Sequence, residues 1–175
     1  MVRPLKVEIG FGSGDFLIEM ARNEPECDFI GIEIYRPGIK KLLHKVETFG
    51  TRNIQIICGD AKEIIPSLPG KVSEFFINFP DPWPKRRHRK RRLIKPPVVD
   101  LIHKSLAPGG RVALATDIAD YAGEMLCYFE AHGSFRNVAG RMNFFSRIEG
   151  RVPTKYEKKY LTQGIRIYYL LFEAV

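Results

Sequence analysis

The chain predicts an α/β fold, a mostly parallel sheet with helices on both faces. Three observations carry this. β-rich runs of five to nine residues alternate with amphipathic stretches along the whole length. The first run ends in a glycine turn, as the opening unit of such folds does. The composition, 45% hydrophobic and 27% charged over 175 residues, fits one globular domain, residues 1–175, with room for a sizeable core.

The elements follow in order. Residues 5–9 read as a strand, then a helix runs from about 14 to 22, with Phe16, Leu17, Met20 and Ala21 at helical spacing. A strand over 28–34 precedes a helix over 36–49 that places Ile39, Leu42, Leu43 and Val46 on one face. Residues 53–58 form a third strand and 61–68 a short helix interrupted by Pro66 and Pro69. The fourth strand spans 72–79 and leads into a basic loop. A helix over 96–106 stops at Pro108-Gly109-Gly110. A fifth strand over 111–116 and a helix over 118–132 follow. Two last strands, near 134–140 and 165–173, flank a polar, aromatic-containing loop over 141–164. Seven strands result. Ligands of such folds bind at the carboxyl ends of the strands, where Gly10 to Gly14, Glu33, Asp60, Asp81 and Asp117 all fall.

Charge is concentrated. The chain carries 28 Lys and Arg against 20 Asp and Glu, a net of +8. Seven of those cations lie in the octapeptide Lys85 to Arg92, KRRHRKRR; the 21 left outside it nearly balance the 20 acids. The octapeptide directly follows Phe79-Pro80-Asp81-Pro82-Trp83-Pro84. A carboxylate and an aromatic framed by three prolines thus lead into a polycation, a combination suited to holding a polyanion and acting on one of its bases. A charge run is otherwise a solvated loop or an address tag; its place at the mouth of the expected site favours phosphate binding by Lys85 to Arg92. Pro80 and Pro82 restrict the backbone that aims Asp81, and Trp83 can stack on a base or on adenine.

Other classes are disfavoured. No apolar run approaches the roughly 20 residues of a membrane helix, and Met1-Val2-Arg3-Pro4 leads into no apolar signal core, so a cytoplasmic protein is expected. Cys27, Cys58 and Cys127 form no CxxC pair and sit in apolar segments, so buried free thiols are expected. His44, His88, His103 and His132 are scattered, and no metal site is expected.

The glycine turn reads Glu8-Ile9-Gly10-Phe11-Gly12-Ser13-Gly14-Asp15. Glycines let backbone approach a ligand closely at a helix N-terminus. The dinucleotide pattern GxGxxG fails, because Asp15 or Leu17 occupies the position of its last glycine. Glu33 closes the second strand 19 residues after Gly14, where an acceptor-only carboxylate suits a ribose diol. Asp60 can bond an adenine amino group, or simply cap the next helix. Thr154 and Glu157 have the spacing of a capping box. Taken together, Glu8, Gly10, Gly12, Gly14 and Glu33 resemble the class I S-adenosylmethionine-dependent methyltransferases, whose glycine loop holds the methionine part and whose second-strand acid holds the ribose.

With the remaining motifs the resemblance narrows. Glu8 to Gly14, Gly31-Ile32-Glu33, Phe79 to Arg92, Ala115-Thr116-Asp117 and Thr154-Lys155-Tyr156-Glu157 look like the tRNA (guanine-N7-)-methyltransferase family over nearly the whole chain. The resemblance implies a Rossmann-like, seven-stranded sheet with an antiparallel last strand. It implies methylation of a guanine in the tRNA variable loop, usually position 46, with S-adenosylmethionine as cofactor. Cofactor contacts would fall at Glu8, Glu33, Asp60 and Asp81, and Asp81 is the expected catalytic residue. Substrate contacts would fall at Lys85, Asp117, Thr154, Lys155, Tyr156 and Glu157, with Arg87, His88 and Arg91 in the part linked to tRNA. The expected assembly is a monomer or homodimer. Family members carry an N-terminal arm before the first strand, where only a few residues stand here. A small-molecule methyltransferase would leave the octapeptide idle, and a non-catalytic RNA-binding module would leave the glycine loop and Glu33 unexplained.

Overall fold

The computed structural model describes residues 3–175; Met1 and Val2, part of the N-terminal segment read above, lie outside the described residues. The elements are β1 (Leu5–Ile9), α1 (Asp15–Asn23), β2 (Asp28–Glu33), α2 (Arg36–Phe49), β3 (Ile54–Cys58), α3 (Ala61–Ile64), β4 (Val72–Asn78), α4 (Pro96–Ser105), β5 (Leu106–Thr116), α5 (Ala119–Ala131), β6 (Phe135–Asn137), α6 (Lys155–Thr162) and β7 (Tyr168–Ala174). The seven strands form one sheet in the order β3-β2-β1-β4-β5-β7-β6. β1 to β5 pair in parallel, and β7 runs antiparallel to both β5 and β6.

Strand alternation fills both faces of this sheet. Val7, Ile9, Ile30, Ile32, Phe75, Ile77, Val112 and Leu114 point to the face covered by α4 and α5, which supply Val98, Val99, Ile102, Tyr121, Met125 and Phe129. Phe29, Phe76 and Ala113 point to the other, against Phe16, Leu17, Ile18 and Met20 of α1 and Leu42 of α2. Local chemistry sets the helix ends. Pro37 and Pro96 occupy first turns, where their missing N–H costs nothing. Gly50 closes α2 in the left-handed conformation, its N–H reaching Glu47 and Val46.

The structure corrects four expectations. Residues 141–164 are not wholly loop: α6 lies within them, started by a complete Thr154/Glu157 capping box. β5 begins at Leu106, five residues early, because Leu106 already pairs with Val72; the ladder resumes at Arg111 opposite Glu74, leaving residues 107–110 as an excursion. The basic segment is ordered as a 3₁₀ turn, Arg86–Arg91. Of the three free cysteines only Cys27 is buried, while Cys58 and Cys127 are exposed at the end of β3 and on the outer face of α5.

Candidate active site

A cleft of about 1190 Å³ opens across the carboxyl ends of β1, β2, β3 and β4. Its floor comes from the β1 end and the glycine loop. Gly10 and Gly12 hold φ of +71° and +57°, and a Cβ on either would meet no protein atom within 4 Å, so both line open space. Gly14, at φ 73°, is the N-cap of α1. The loop also fixes α2: a Cβ at Gly38 would stand 2.1 Å from the Gly12 carbonyl oxygen, so only glycine permits this approach.

Glu8 is 2% exposed although it carries a carboxylate. The Asn78 amide donates to its Oε1 at 3.0 Å, and its Oε2 is buried without a partner. Burial pushes this carboxyl up to about 8, against the smaller opposing effects of Asn78 and the Arg151 guanidinium; Glu33 and Asp15 add to the rise. A buried, unpartnered acceptor lining the cleft suits an ammonium group. The sign of its pH linkage follows. Between pH 4.5 and about 8 the folded chain keeps a proton that the unfolded chain has released, so Glu8 makes stability fall as pH rises through that window. Glu8→Gln is expected to match the parent in thermal melts at pH 4.5 and to exceed it near pH 8 by up to a few kcal/mol. Parallel melting curves at both pH values would contradict this.

Glu33 is already employed. Its Oε2 accepts from Gly12 N at 2.8 Å, and its Oε1 from Ile34 N at 2.8 Å and Tyr35 N at 2.9 Å. The carboxylate therefore staples the glycine loop to the end of β2. Three of its about four acceptor positions are filled, so it can take one hydroxyl of a diol directly, not two as the sequence reading has it. Asp60 lines the cleft and caps α3, accepting from Lys62 N at 2.9 Å; the capping role is the one its geometry displays.

Beyond β4 the chain makes a rigid lip. Phe79 and Trp83 hold φ of +49° and +42°, and each precedes a proline. Asp81 sits between them, exposed and facing the cleft. Arg91 places its guanidinium 4.9 Å from the Trp83 ring, and His88 packs edge-on against it. Trp83 and Arg91 line the cleft, as do Lys41 of α2 and Lys155, Tyr156 and Lys159 of α6.

The octapeptide is divided. Lys85, Arg86, Arg87, Lys90 and Arg91 have no carboxylate partner among the described residues, while Arg89 pairs with Asp120 at 2.7 Å. Arg92 corrects the sequence reading outright. Its side chain is 0% exposed, pairs with Asp120 at 3.0 Å and Glu124 at 3.1 Å, and lies 4.6 Å from the Tyr121 ring. Its Nε donates to the Pro82 carbonyl at 2.7 Å. It binds the lip to α5 and is closed off from solvent.

The expected substrate residues separate likewise. Lys85, Arg87 and His88 lie on the basic turn outside the cleft lining, as does Asp117 after β5. Thr154, Lys155 and Tyr156 line the cleft, but Glu157 is buried behind them. Sequence reasoning missed Gly38, Asn78 and Arg151. A glycine inside an amphipathic helix was a usable signal for the first; Asn78 and Arg151 offered none.

The fold recurs in solved structures. An rRNA methylase from Streptococcus thermophilus superposes with TM-score 0.64 at 10% identity, covering 99% of this chain and 87% of that one. A SAM-dependent methyltransferase from Aquifex aeolicus gives 0.65 at 11% identity, covering 100% and 85%. At these identities the likeness shows the Rossmann-like fold. The unpartnered Glu8 oxygen and the open space over Gly10 and Gly12 have the charge and the room for the aminocarboxypropyl end of S-adenosylmethionine. A family model described as "Putative methyltransferase" (Methyltransf_4) matches residues 2–170. The tRNA (guanine-N(7)-)-methyltransferase of Halorhodospira halophila is 43% identical over 171 residues, 97% of this chain and 74% of the relative. That of Acidithiobacillus ferrooxidans is 38% identical over 174 residues, 99% and 77%. The chain belongs to the tRNA (guanine-N(7)-)-methyltransferase family.

Proposed function

We propose that this chain transfers the methyl group of S-adenosylmethionine to N7 of a guanine in the tRNA variable loop, usually position 46, forming 7-methylguanosine in the cytoplasm. One observation carries the reading: a single cleft joins a buried acceptor and glycine floor at one end to a free carboxylate and unpaired cations at the other. No helix among the described residues is long and apolar enough to cross a membrane.

The cofactor supplies an electrophilic methyl group on a sulfonium centre. Glu8, the backbone of Gly10 to Gly14, and the remaining acceptor position of Glu33 would hold it, with Asp60 beside its adenine. Guanine N7 offers a lone pair and has no proton to lose, so no strong general base is required. Methyl transfer to N7 would move the positive charge of the sulfonium onto the base, so the residues around the base would have to accommodate it. Catalysis therefore rests on alignment and exclusion of water. Asp81 would stabilise the developing charge or anchor the guanine N1/N2 edge, with Trp83 available to stack on a base. Thr154, Lys155 and Tyr156 would border the base, Asp117 would stand beyond the lip, and Glu157 would act from behind by fixing α6.

Label transferred from S-adenosylmethionine to unmodified tRNA, followed by nucleoside digestion, tests the reading. Recovery as 7-methylguanosine that disappears when the target guanine is replaced supports it; label in another nucleoside refutes it. The turn would track the RNA backbone through Lys85, Arg86, Arg87, His88, Lys90 and Arg91. Neutralising Arg87 and Arg91 together should weaken tRNA binding and reduce the log–log salt slope by about 2. Titrations at several salt concentrations that leave affinity and slope unchanged would remove the turn from the interface.

A further inference from the structure

α6 forms part of the substrate wall, yet hydrophobic burial does little to hold it. Its one buried residue is Glu157. An eight-residue helix is marginal in isolation, so the grip on Glu157 decides where α6 sits. That grip is Arg151. Its Nε donates to Glu157 Oε1 at 2.9 Å and its Nη2 to Oε2 at 3.3 Å. The two side chains are 7% and 2% exposed. The guanidinium lies 5.4 Å from each of the Phe16 and Tyr169 rings. Although burial alone would raise the Glu157 carboxyl, the bond and charge of Arg151 hold it below the usual range. Glu157 Oε2 also accepts from Thr154 N at 2.6 Å, closing the capping box.

Arg151 has a second attachment. The same Nη2 donates to Asn78 Oδ1, and the Asn78 amide donates to Glu8 Oε1. A continuous path of polar contacts thus runs from Glu8 through Asn78, Arg151 and Glu157 to the first turn of α6. It joins the cofactor end of the cleft to the helix that carries Lys155, Tyr156 and Lys159. Tyr156 and Tyr160 in turn pack 5.9 Å and 5.8 Å from the Phe79 ring, at the root of the Asp81 lip.

We propose that Arg151 is a positioning residue that docks α6 through Glu157 and links that docking, through Asn78, to occupancy of the Glu8 end of the cleft. A cation arriving on the free oxygen of Glu8 would fix the ionised carboxylate, strengthen its acceptance from Asn78 and hold Arg151 in its fork with Glu157. α6 would then be firmest when the cofactor is in place. Coupling of this kind is reciprocal, so an RNA resting on α6 would tighten the cofactor in return. The inference rests on the methyltransferase reading for its ligand but needs no methyl transfer for its test.

Backbone hydrogen exchange over Lys155–Thr162 would be followed in the chain with and without saturating S-adenosylhomocysteine. In the parent, the ligand is expected to slow exchange in α6 about tenfold. In Asn78→Ala, which spares the Arg151–Glu157 fork, the protection gained from ligand should vanish while basal protection stays. In Arg151→Gln, basal protection should fall as well, and Arg151→Lys should restore only part of it. Unchanged exchange in the parent on ligand binding, or ligand protection that survives Asn78→Ala, overturns the proposal. The Asn78→Ala arm keeps the test decisive if Arg151→Gln fails to fold. Failure to methylate tRNA would instead count against the functional reading and leave these exchange rates untouched.

Discussion

Asp81→Ala is expected to lower the rate of methyl transfer by at least about a hundredfold and to leave tRNA affinity nearly unchanged. The expectation comes from how much structure is committed to one carboxylate. Phe79 and Trp83 flank it with φ of +49° and +42°, conformations that cost a non-glycine residue about 1–3 kcal/mol each. Both also precede prolines, which narrows their choices further. The strain persists because the segment is fastened along its length. Phe79 N donates to the Ala115 carbonyl at 2.8 Å, Arg92 holds the Pro82 carbonyl, and Arg91 packs on Trp83. Asp81→Asn separates charge from shape: a defect close to that of alanine would assign the role to negative charge at the developing cation. Single-turnover transfer and equilibrium tRNA binding measured together decide the matter, and near-normal turnover in Asp81→Ala would remove Asp81 from the chemistry.

The largest stability effect is expected at Arg92. Replacing it with methionine keeps much of the volume but takes the shared buried cation from Asp120 and Glu124, leaving each one remaining partner, Arg89 and Lys95. Breaking a buried pair costs about 3–5 kcal/mol. Both acids retain some exposure, 41% and 25%, so the lower end applies, a fall in Tm of roughly 6–12 °C for a domain of this size. The salt dependence of tRNA binding should barely change, because this side chain never reaches solvent. The opposite pattern is expected at Arg87, an exposed residue of the turn, where neutralisation should alter the salt slope and spare Tm. Thermal melts of Arg92→Met that match the parent would show that the buried cation is dispensable.

These two arginines mark where the sequence was legible and where it was not. Periodicity located every strand, and α2 came out with its observed ends, because regular elements announce themselves through spacing. The charge run was legible as a total. Which of its cations face water depends on Asp120 and Glu124, about thirty residues away on α5, and local sequence cannot say that. The site divides in the same way. Glycines with positive φ and acids at strand ends are forced by local geometry and were visible. Arg151 was not, since it lies in an irregular stretch and acquires meaning only when the fold brings β4, α1 and β7 around it. Thr154 and Glu157 carried both of their readings in one pattern, and the structure uses them as a cap whose carboxylate is also an anchor.

The placement of β7 bears on how the protein is made. β7 follows all of its neighbours in the chain, yet it lies between β5 and β6 and pairs with β5 over six residues, from Arg111 opposite Glu173 to Thr116 opposite Tyr168. While the nascent chain lacks β7, β5 presents an open edge bearing Val112 and Leu114, and the three residues of β6 have no strand to join. The glycine loop and β1 to β4 can assemble during this interval; the Tyr169 side of the Arg151 cluster cannot. Translation therefore supplies the glycine loop and the Asp81 lip before the strand that closes the Arg151 cluster. A ribosome that stalls ahead of Tyr168 would release a chain with a sticky edge, a target for chaperones or proteases before it could ever meet tRNA.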